Sequence, residues 1–395
     1  MTTSMQGYVA PPTPAELASR LGLPVERIVK LDANESPWGP SPSARAALRS
    51  LAEADGVSLG AVGRYPDAAA TALRAALADY TGVAAEGIVV GSGSDEVIQL
   101  LVDALVEPED EVVVSEPTFS VYALMARRRG ARIVDVARDD DWRTPIGALR
   151  AAMSSRTRLV FLCAPNNPTG TPLDRATLDA ALARAEELAG QGDGAGPLIV
   201  VDEAYYELGA FADDSRAWTA APMLSTAGER LIVLRTFSKL FGLAGLRVGY
   251  GLAAPALAER LRALKPPYNV NLVGQLAALA SLDDLDWLRA RARDLASERE
   301  RLSRLLATDL GLPVWPSAAN FTLVDVSGGL TEMRERERRR DALWQALLDH
   351  GVMTRRLSGE RLAGLLRFTV GLPAQNDALV DVLARALDTS EGMNR

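Results

Sequence analysis

The feature that most constrains this fold is a regular alternation of short apolar runs with segments of helical periodicity. The apolar runs have strand length, are rich in Val, Ile and Leu, and read GIVVGSG, DEVVVSEPT, TRLVFLCAPNNPTG, PLIVVDEAYYE and RLIVLRTFSK. Helical segments such as SDEVIQLLVDALV and LDRATLDAALARAEELAG alternate with them. Continuous β-branched runs divided by helices are typical of a mainly parallel sheet that is covered on both faces. We therefore predict an α/β fold whose large domain has a mainly parallel sheet flanked by helices.

The pattern changes near residue 282, where a long charged helical segment begins. The runs ANFTLVDV, GVMTRRL and LLRFTVG follow it and are separated by further helical sequence, which predicts a smaller α+β domain at the C-terminal end. A chain of 395 residues is long enough for two domains. We assign residues 1–36 to an N-terminal arm, 37–281 to the large domain and 282–395 to the small domain. The run EMRERERRRD at 332–341 largely alternates in sign, which predicts a solvated helix face.

The net charge limits the classes of partner that this chain can bind. A formal charge of −8 argues against a nucleic-acid-binding protein, because phosphate backbones call for a basic face. No run reaches the roughly 18 apolar residues that a membrane span needs, and the N-terminal stretch lacks a secretory-type apolar core. We therefore expect a cytoplasmic protein that binds neither nucleic acid nor membrane.

The chain has one cysteine, Cys163, and one histidine, His350. This excludes a disulfide framework and a Cys/His metal cluster, so no metal is predicted. His350 stands just before a glycine, which predicts a position at a helix C-terminus. If the protein is an enzyme, we therefore expect Lys, Asp or Tyr side chains to carry out its acid-base catalysis.

Four polar clusters follow apolar runs directly: GSGSDE at 91–96, APNNPTG at 164–170, DEAYY at 202–206 and TFSK at 236–239. Because ligands of open parallel sheets bind at the carboxyl ends of the strands, we expect these clusters to converge at one edge. A Gly/Ser-rich turn that begins a helix is typical of a phosphate site, although Ser94 and Asp95 could equally be helix caps. Asp202 would need a donor if buried, or could cap a turn. Lys239 stands alone among apolar residues and could simply extend to water.

Together, an anion site, a strand-end aspartate, an asparagine loop and an isolated lysine suit a ligand with a phosphate, a basic ring nitrogen and an aldehyde. Pyridoxal 5′-phosphate has all three groups. The sequence resembles the fold-type I pyridoxal-phosphate aminotransferases, which have the aspartate aminotransferase-like fold, and within them the histidinol-phosphate aminotransferases. The motifs that carry the resemblance span nearly the whole chain and are LDANESPWGPSP, RYPD, VGSGSDEVI, EPTFSVY, PNNPTG, VVDEAY, FSKLFGLAGLRVGY and LRFTVG.

The resemblance implies a role for each residue of the cofactor ring site. Lys239 resembles the Schiff-base lysine, and Asp202 resembles the partner of the pyridine nitrogen. Asn167 and Tyr205 would hydrogen-bond the phenolic oxygen of the cofactor, with Asn167 also near the substrate and Tyr205 among the catalytic residues. Phe119 would stack on the ring.

The resemblance also implies residues for the phosphate, the subunit interface and the substrate. The groups expected to hold the cofactor phosphate are the backbone at Ser94 and Asp95, the hydroxyls of Thr236 and Ser238, and the guanidinium of Arg247. Tyr65 resembles a tyrosine that reaches the phosphate from the neighbouring subunit, which implies a homodimer with shared active sites. Arg367, helped by Arg355, resembles the arginine that binds the anionic end of the substrate.

Several functions remain open at this point. The first is transfer of the amino group of histidinol phosphate to 2-oxoglutarate, giving imidazole-acetol phosphate and glutamate in histidine biosynthesis. An aromatic or other amino acid is the alternative donor. A decarboxylase of amino-acid phosphates on the same scaffold would use the same cofactor residues. A catalytically silent cofactor-binding module is disfavoured, because every expected cofactor residue is present.

Overall fold

The computed structural model describes residues 12–53, 62–191 and 196–392. The α-helices are α1 (Pro14–Leu21), α2 (Pro42–Glu53), α3 (Thr71–Thr81), α4 (Ser94–Leu105), α5 (Val121–Arg128), α6 (Ile146–Ala152), α7 (Arg175–Ala189), α8 (Tyr206–Ala210), α9 (Leu224–Ala227), α10 (Pro255–Leu264), α11 (Leu272–Ser281), α12 (Leu285–Arg304), α13 (Met333–Asp349) and α14 (Pro373–Gly392). The strands are β1 (Val29–Leu31), β2 (Ile88–Gly91), β3 (Glu111–Val114), β4 (Arg132–Asp135), β5 (Thr157–Cys163), β6 (Leu198–Asp202), β7 (Leu231–Thr236), β8 (Gly249–Ala253), β9 (Phe321–Asp325), β10 (Val352–Arg356) and β11 (Leu365–Thr369).

The larger sheet, as far as the described residues show it, has seven strands in the order β2-β8-β7-β6-β5-β3-β4. All neighbours are parallel except β8, which runs antiparallel to both β2 and β7. Alternate residues of one strand enter two separate core clusters: Val160 and Leu162 pack in one, and Leu159 and Phe161 in the other. Because successive side chains of a strand point to opposite faces, both faces of the sheet are covered. The predicted α/β fold with a mainly parallel sheet is confirmed.

Strand β8 was missed by the sequence analysis, because glycines in a strand interior resemble a turn. Its first residue, Gly249, shows why a glycine stands there. A Cβ at Gly249 would lie 2.2 Å from the backbone nitrogen of Ser94, at the start of α4. The glycine therefore allows the first turn of α4 to lie directly against the sheet. The edge strand β4 was also missed, since its residues are partly exposed and lack a continuous apolar pattern.

The smaller sheet has the order β1-β10-β11-β9. The three C-terminal runs form β9, β10 and β11 as predicted, and β11 is antiparallel to both of its neighbours, β10 and β9. Strand β1 comes from the predicted N-terminal arm and pairs parallel with β10, through Val29 opposite Val352. A segment from the beginning of the chain therefore completes the sheet built by its end, and the domain boundaries themselves stay a prediction.

The charged helix α13 is only partly the solvated element that its charge pattern indicates. Arg340 is buried, and its Nη1 donates a hydrogen bond to the Leu357 carbonyl at 3.0 Å. The prediction of a solvated face is therefore wrong for Arg340. His350 follows the last residue of α13 and its ring Nδ1 lies 2.9 Å from the Ala346 carbonyl, which confirms the predicted helix end. Among the described residues, no helix is both long enough and apolar enough to cross a membrane.

Candidate active site

A cavity of about 680 Å³ lies between the carboxyl ends of the central strands and the smaller sheet. Asp202 ends β6, Thr236 ends β7 and Cys163 ends β5, and all three line the cavity. The four polar clusters therefore converge at one edge, as predicted. The predicted site residues that line the cavity are Ser94, Asp95, Phe119, Asn167, Asp202, Tyr205, Thr236, Ser238, Lys239, Arg247, Arg355 and Arg367.

Asp202 is a buried carboxylate held by two donors. Its Oδ2 accepts a hydrogen bond from the Tyr122 hydroxyl at 2.5 Å, and its Oδ1 accepts one from the backbone N–H of Ala204 at 3.0 Å. Burial raises the pKa of Asp202 to about 6, although both hydrogen bonds and the nearby charge of Lys239 act to lower it. The strand end thus presents a carboxylate whose charge is weakly compensated, which favours a cationic or N–H ligand.

Lys239 follows β7 and is surrounded by protein on the floor of the cavity, where part of its side chain remains accessible. Its Nζ lies 5.4 Å from the centre of the Tyr205 ring and 3.4 Å from the Ala33 carbonyl. Burial, together with the positive charge of Arg367, lowers the pKa of Lys239 to about 8. A lysine in this state releases its proton much more readily than one on the surface, which is what a nucleophile or a base requires.

The start of α4 forms one wall of an anion cradle. Gly93 precedes the helix with a φ of 79°, and a Cβ at this position would lie 2.5 Å from Arg247 Nη2. The guanidinium of Arg247 also donates to Asp95 Oδ2 at 2.9 Å. Helix N-termini and arginine side chains both bind oxyanions, so this close approach of backbone and guanidinium suits a phosphate.

The loop after β7 supplies the hydroxyls of the same cradle. Thr236 Oγ1 donates to Ser238 Oγ at 3.0 Å and accepts from the Ser238 backbone N–H at 3.1 Å. Arg247 Nη1 lies 3.4 Å from Ser238 Oγ. The structure therefore brings together all the residues that were predicted to hold a phosphate from this chain.

Tyr205 is buried, and its hydroxyl oxygen accepts a hydrogen bond from Asn34 Nδ2 at 2.9 Å. Asn34 is fixed in turn by Thr369, whose Oγ1 donates to Asn34 Oδ1 at 3.0 Å. Burial raises the pKa of Tyr205, so its hydroxyl stays protonated. Because the oxygen already accepts from Asn34, the hydroxyl proton is available for an acceptor in the cavity.

Arg355 and Arg367 stand directly opposite each other on the antiparallel strands β10 and β11. Arg367 Nη1 donates to Asn167 Oδ1 and Nη2 to the Asp32 carbonyl, both at 2.6 Å. Like charges directly opposite on a sheet repel each other, and an anion placed between them removes that repulsion. Two arginines in register that both line the cavity therefore indicate a second anion site, in the same cavity as the one formed by α4.

A profile of the family "Aminotransferase class I and II" matches residues 26–387. The chain belongs to this family. It is 44% identical over 370 residues to a histidinol-phosphate aminotransferase from Roseiflexus castenholzii, covering 93% of this chain and 92% of that protein. It is 38% identical over 384 residues to a histidinol-phosphate aminotransferase from Symbiobacterium thermophilum, covering 97% and 96% of the two chains.

Solved structures agree with the sequence comparison. The crystal structure of a histidinol-phosphate aminotransferase from Sinorhizobium meliloti, in complex with pyridoxal 5′-phosphate, superposes with a TM-score of 0.81 at 29% identity and covers 98% of both chains. An aspartate aminotransferase from Thermus thermophilus, solved with maleate, has a TM-score of 0.75 at 23% identity and covers 97% of this chain and 100% of its own, and it shares the fold. The predicted aspartate aminotransferase-like fold is confirmed.

In this aminotransferase, two contact residues escaped the sequence analysis. Tyr122 lies in the first turn of α5, three residues after Phe119, which precedes that helix, and their rings meet edge to face at 5.5 Å. Asn34 lies in the motif LDANESPWGPSP, which carried the resemblance but was given no residue role. Tyr122 lies in the motif EPTFSVY, which also carried the resemblance, and Asn34 contacts a partner 335 positions away that only the fold reveals.

Tyr65 is the one predicted site residue that does not line this cavity within the described chain. Its side chain is 80% exposed and stacks on Tyr268 with ring centres 4.4 Å apart. Tyrosine is enriched at protein interfaces, so this exposed position is compatible with the role that the resemblance implies for Tyr65.

Proposed function

We propose that this chain is a pyridoxal-phosphate-dependent aminotransferase that takes its amino group from histidinol phosphate and passes it to 2-oxoglutarate, giving imidazole-acetol phosphate and glutamate in histidine biosynthesis. The observation that carries the proposal is the arginine pair Arg355 and Arg367, which lines the same cavity as Lys239, Asp202 and a phosphate cradle. Family membership and the relatives at 38–44% identity support the same reaction.

The residues present fit the proposed cofactor. A Cβ at Gly93 would enter the space beside Arg247, and one at Gly249 would collide with Ser94, so glycine keeps the cradle open at both positions. The buried carboxylate of Asp202 calls for a positive or N–H partner, as a protonated ring nitrogen would be. The donor set therefore matches a phosphate at one end and a basic nitrogen at the other.

When bound, pyridoxal phosphate supplies an aldehyde that captures the substrate amine and a ring that withdraws electrons from it. The backbone at α4 and the side chains of Thr236, Ser238 and Arg247 hold the phosphate. Asp202 keeps a proton on the ring nitrogen. Tyr205 directs its hydroxyl proton into the cavity, and Phe119 provides an aromatic face.

Lys239 moves the proton of the reaction. With a pKa near 8 in the folded chain, a fraction of its Nζ is neutral close to neutral pH. The neutral amine would accept the proton of the donor Cα and then release it on the cofactor side, which is general base and then general acid catalysis. Burial by the surrounding protein keeps the amine partly desolvated, which favours its neutral form.

Arg355 and Arg367 select the substrate by its anionic end. Histidinol phosphate carries a phosphate with up to two negative charges, whereas an amino acid offers one carboxylate there. Each charge-assisted hydrogen bond contributes about 1.5–3 kcal/mol, so a phosphate that engages both guanidinium groups is favoured over a carboxylate. This discrimination will appear in kcat/KM rather than as complete exclusion of amino acids.

We expect histidinol phosphate to outcompete phenylalanine and tyrosine as amino donor in purified protein with 2-oxoglutarate. Arg367→Ala should lower kcat/KM for histidinol phosphate by about 10-fold to 100-fold, and for the aromatic amino acids by less. Arg143→Ala is the matched control, since Arg143 does not line the cavity and forms an exposed pair with Asp174 at 2.8 Å. A wild type that prefers aromatic amino acids would overturn the substrate assignment, and carbon dioxide release without amino transfer would overturn the reaction.

The exposed Tyr65 supports a further part of the proposal, a homodimer whose two active sites each take this residue from the partner. Refolding Lys239→Ala together with Tyr65→Ala should then restore at most about one quarter of wild-type activity, because half of the dimers are mixed and each has one intact site. Refolding Lys239→Ala with Asp202→Asn is the control. Both changes lie in the same cavity, so every mixed site keeps a defect.

Two results would contradict the shared sites. One is activity that is restored when the control pair is refolded together, and the other is light scattering that shows an active monomer.

The cytoplasmic location expected from the sequence stays a prediction.

A further inference from the structure

We infer that Tyr122 is a positioning residue that acts through Asp202, holding this carboxylate ionised for the ring nitrogen of the cofactor. The inference rests on the proposed cofactor and adds a residue to its site. Tyr122 itself does not line the cavity. Its influence on the reaction therefore has to pass through the carboxylate.

The contact between the two side chains is short and fully enclosed. Tyr122 has no exposed surface, Asp202 is 3% exposed, and the hydroxyl oxygen lies 2.5 Å from Asp202 Oδ2. Hydrogen bonds of this length between a hydroxyl and a carboxylate are of the strong, charge-assisted kind. The Ala204 N–H donates to the other carboxylate oxygen at 3.0 Å, so among the described residues the Tyr122 hydroxyl is the one side-chain donor to Asp202.

Aromatic packing leaves the Tyr122 hydroxyl little freedom. The ring stacks on Phe161 with centres 4.5 Å apart and planes 7° apart, and Phe119 meets it edge to face. A donor fixed in this way costs little conformational entropy when it binds the carboxylate. Phe161 belongs to the same core cluster as Cys163 at the end of β5, and Phe119 packs against that cluster, so the core on one face of the larger sheet positions the hydroxyl.

The charge balance around Asp202 explains why a donor is needed there. Burial and the charge of Asp95 raise the pKa of Asp202, while Tyr122, the Ala204 N–H and Lys239 lower it. Cys163 stands opposite Asp202 on β5, and burial raises its pKa to about 12, so the thiol adds no charge. Loss of the hydroxyl raises the pKa of Asp202 further, and the carboxylate would then keep the proton that belongs on the ring nitrogen.

The test uses holoenzyme loaded with pyridoxal phosphate that carries ¹⁵N in its ring. In Tyr122→Phe we expect the ring ¹⁵N shift to move toward the value of the unprotonated ring and kcat to fall about tenfold or more, with KM nearly unchanged. Tyr80→Phe is the matched control, because it removes the hydroxyl of another tyrosine, 3.4 Å from Glu207. It should leave the ring shift and kcat unchanged.

A double-mutant cycle separates action through Asp202 from packing. Adding Tyr122→Phe to Asp202→Asn should change kcat by less than about twofold, whereas independent effects would multiply. A ring nitrogen that stays protonated in Tyr122→Phe, or independent effects in the cycle, overturns the inference. Failure of the wild type to bind pyridoxal phosphate would instead overturn the proposed function.

If Tyr122→Phe does not fold, 3-fluorotyrosine at position 122 keeps the packing and makes the hydroxyl a stronger donor. The ring nitrogen should then be at least as protonated as in the wild type. A shift toward the unprotonated value would contradict the role of Tyr122.

Discussion

Lys239→Ala is expected to abolish turnover, with kcat reduced by about a hundredfold to ten-thousandfold or more, because one substitution removes both the nucleophile and the base. The chain has three lysines, Lys30, Lys239 and Lys265, so the modified residue can be identified by peptide mass spectrometry. Borohydride reduction of the wild-type holoenzyme should fix the cofactor to Lys239. In Lys239→Ala, no covalent cofactor should be recovered.

Lys30 provides the internal control, since it also lines the cavity. It is bound by Asp32 at 3.0 Å and by Glu35 at 2.6 Å. Burial acts to lower its pKa, but these carboxylates raise it overall, so Lys30 holds its proton. Label on Lys30 or Lys265, or turnover that survives in Lys239→Ala, would refute the assignment.

The lowered pKa of Lys239 also predicts a pH dependence of stability in the cofactor-free protein. The pKa is about 8 in the folded chain against an ordinary value of 10.5, so the fold disfavours the charged amine. Below about pH 8 this penalty lowers the free energy of unfolding in full. As the pH rises from 8 to 10.5 the penalty disappears, so the free energy of unfolding should gain a favourable contribution over that range. Denaturant unfolding of Lys239→Ala should lack that contribution.

The sheet was predictable because its strands are buried on both faces, which makes them continuous apolar runs of the kind seen in TRLVFLC and LIVVD. The same physics explains the failures. Strand β8 has glycines where α4 needs room, and β4 lies at an exposed edge, so neither shows an apolar run. Strand β1 finds its partner in β10, more than 300 positions later in the chain, and no local pattern encodes that pairing.

The site residues also divide into those that the sequence predicts and those that only the fold reveals. Lys239, Asp202 and the Gly-Ser turn before α4 were found because each stands directly after an apolar strand, where the topology of the sheet fixes its place. The Arg355 and Arg367 pair depends on the register of two antiparallel strands, which the sequence alone does not give. Asn34 and Tyr122 hydrogen-bond the side chains of Tyr205 and Asp202, and such contacts follow from packing across the whole fold.

Asp202→Asn should leave cofactor binding largely intact, because the phosphate cradle of α4, Thr236 and Arg247 is untouched. Turnover should fall by about 10²–10³-fold, equivalent to about 2.7–4 kcal/mol of transition-state stabilisation, since a neutral amide cannot hold the ring nitrogen in its charged form. The amide also fits the site poorly. Tyr122 and the Ala204 N–H both donate to position 202, and one of them would face an NH₂ group.

Asp110→Asn is the matched control, because it makes the same chemical change at the residue that precedes β3. This position is at the amino end of the strand, whereas Asp202 is at the carboxyl end of β6. There, Asp110 pairs with Arg158 at 3.1 Å, and such partly exposed pairs contribute only about 0–1 kcal/mol. Its kcat should therefore stay close to wild type. Cofactor content measured by absorbance separates loss of binding from loss of turnover. Near-normal kcat in fully loaded Asp202→Asn would remove the ring-nitrogen role from Asp202, and an apoprotein that no longer binds pyridoxal phosphate would show that the carboxylate serves binding rather than electron withdrawal.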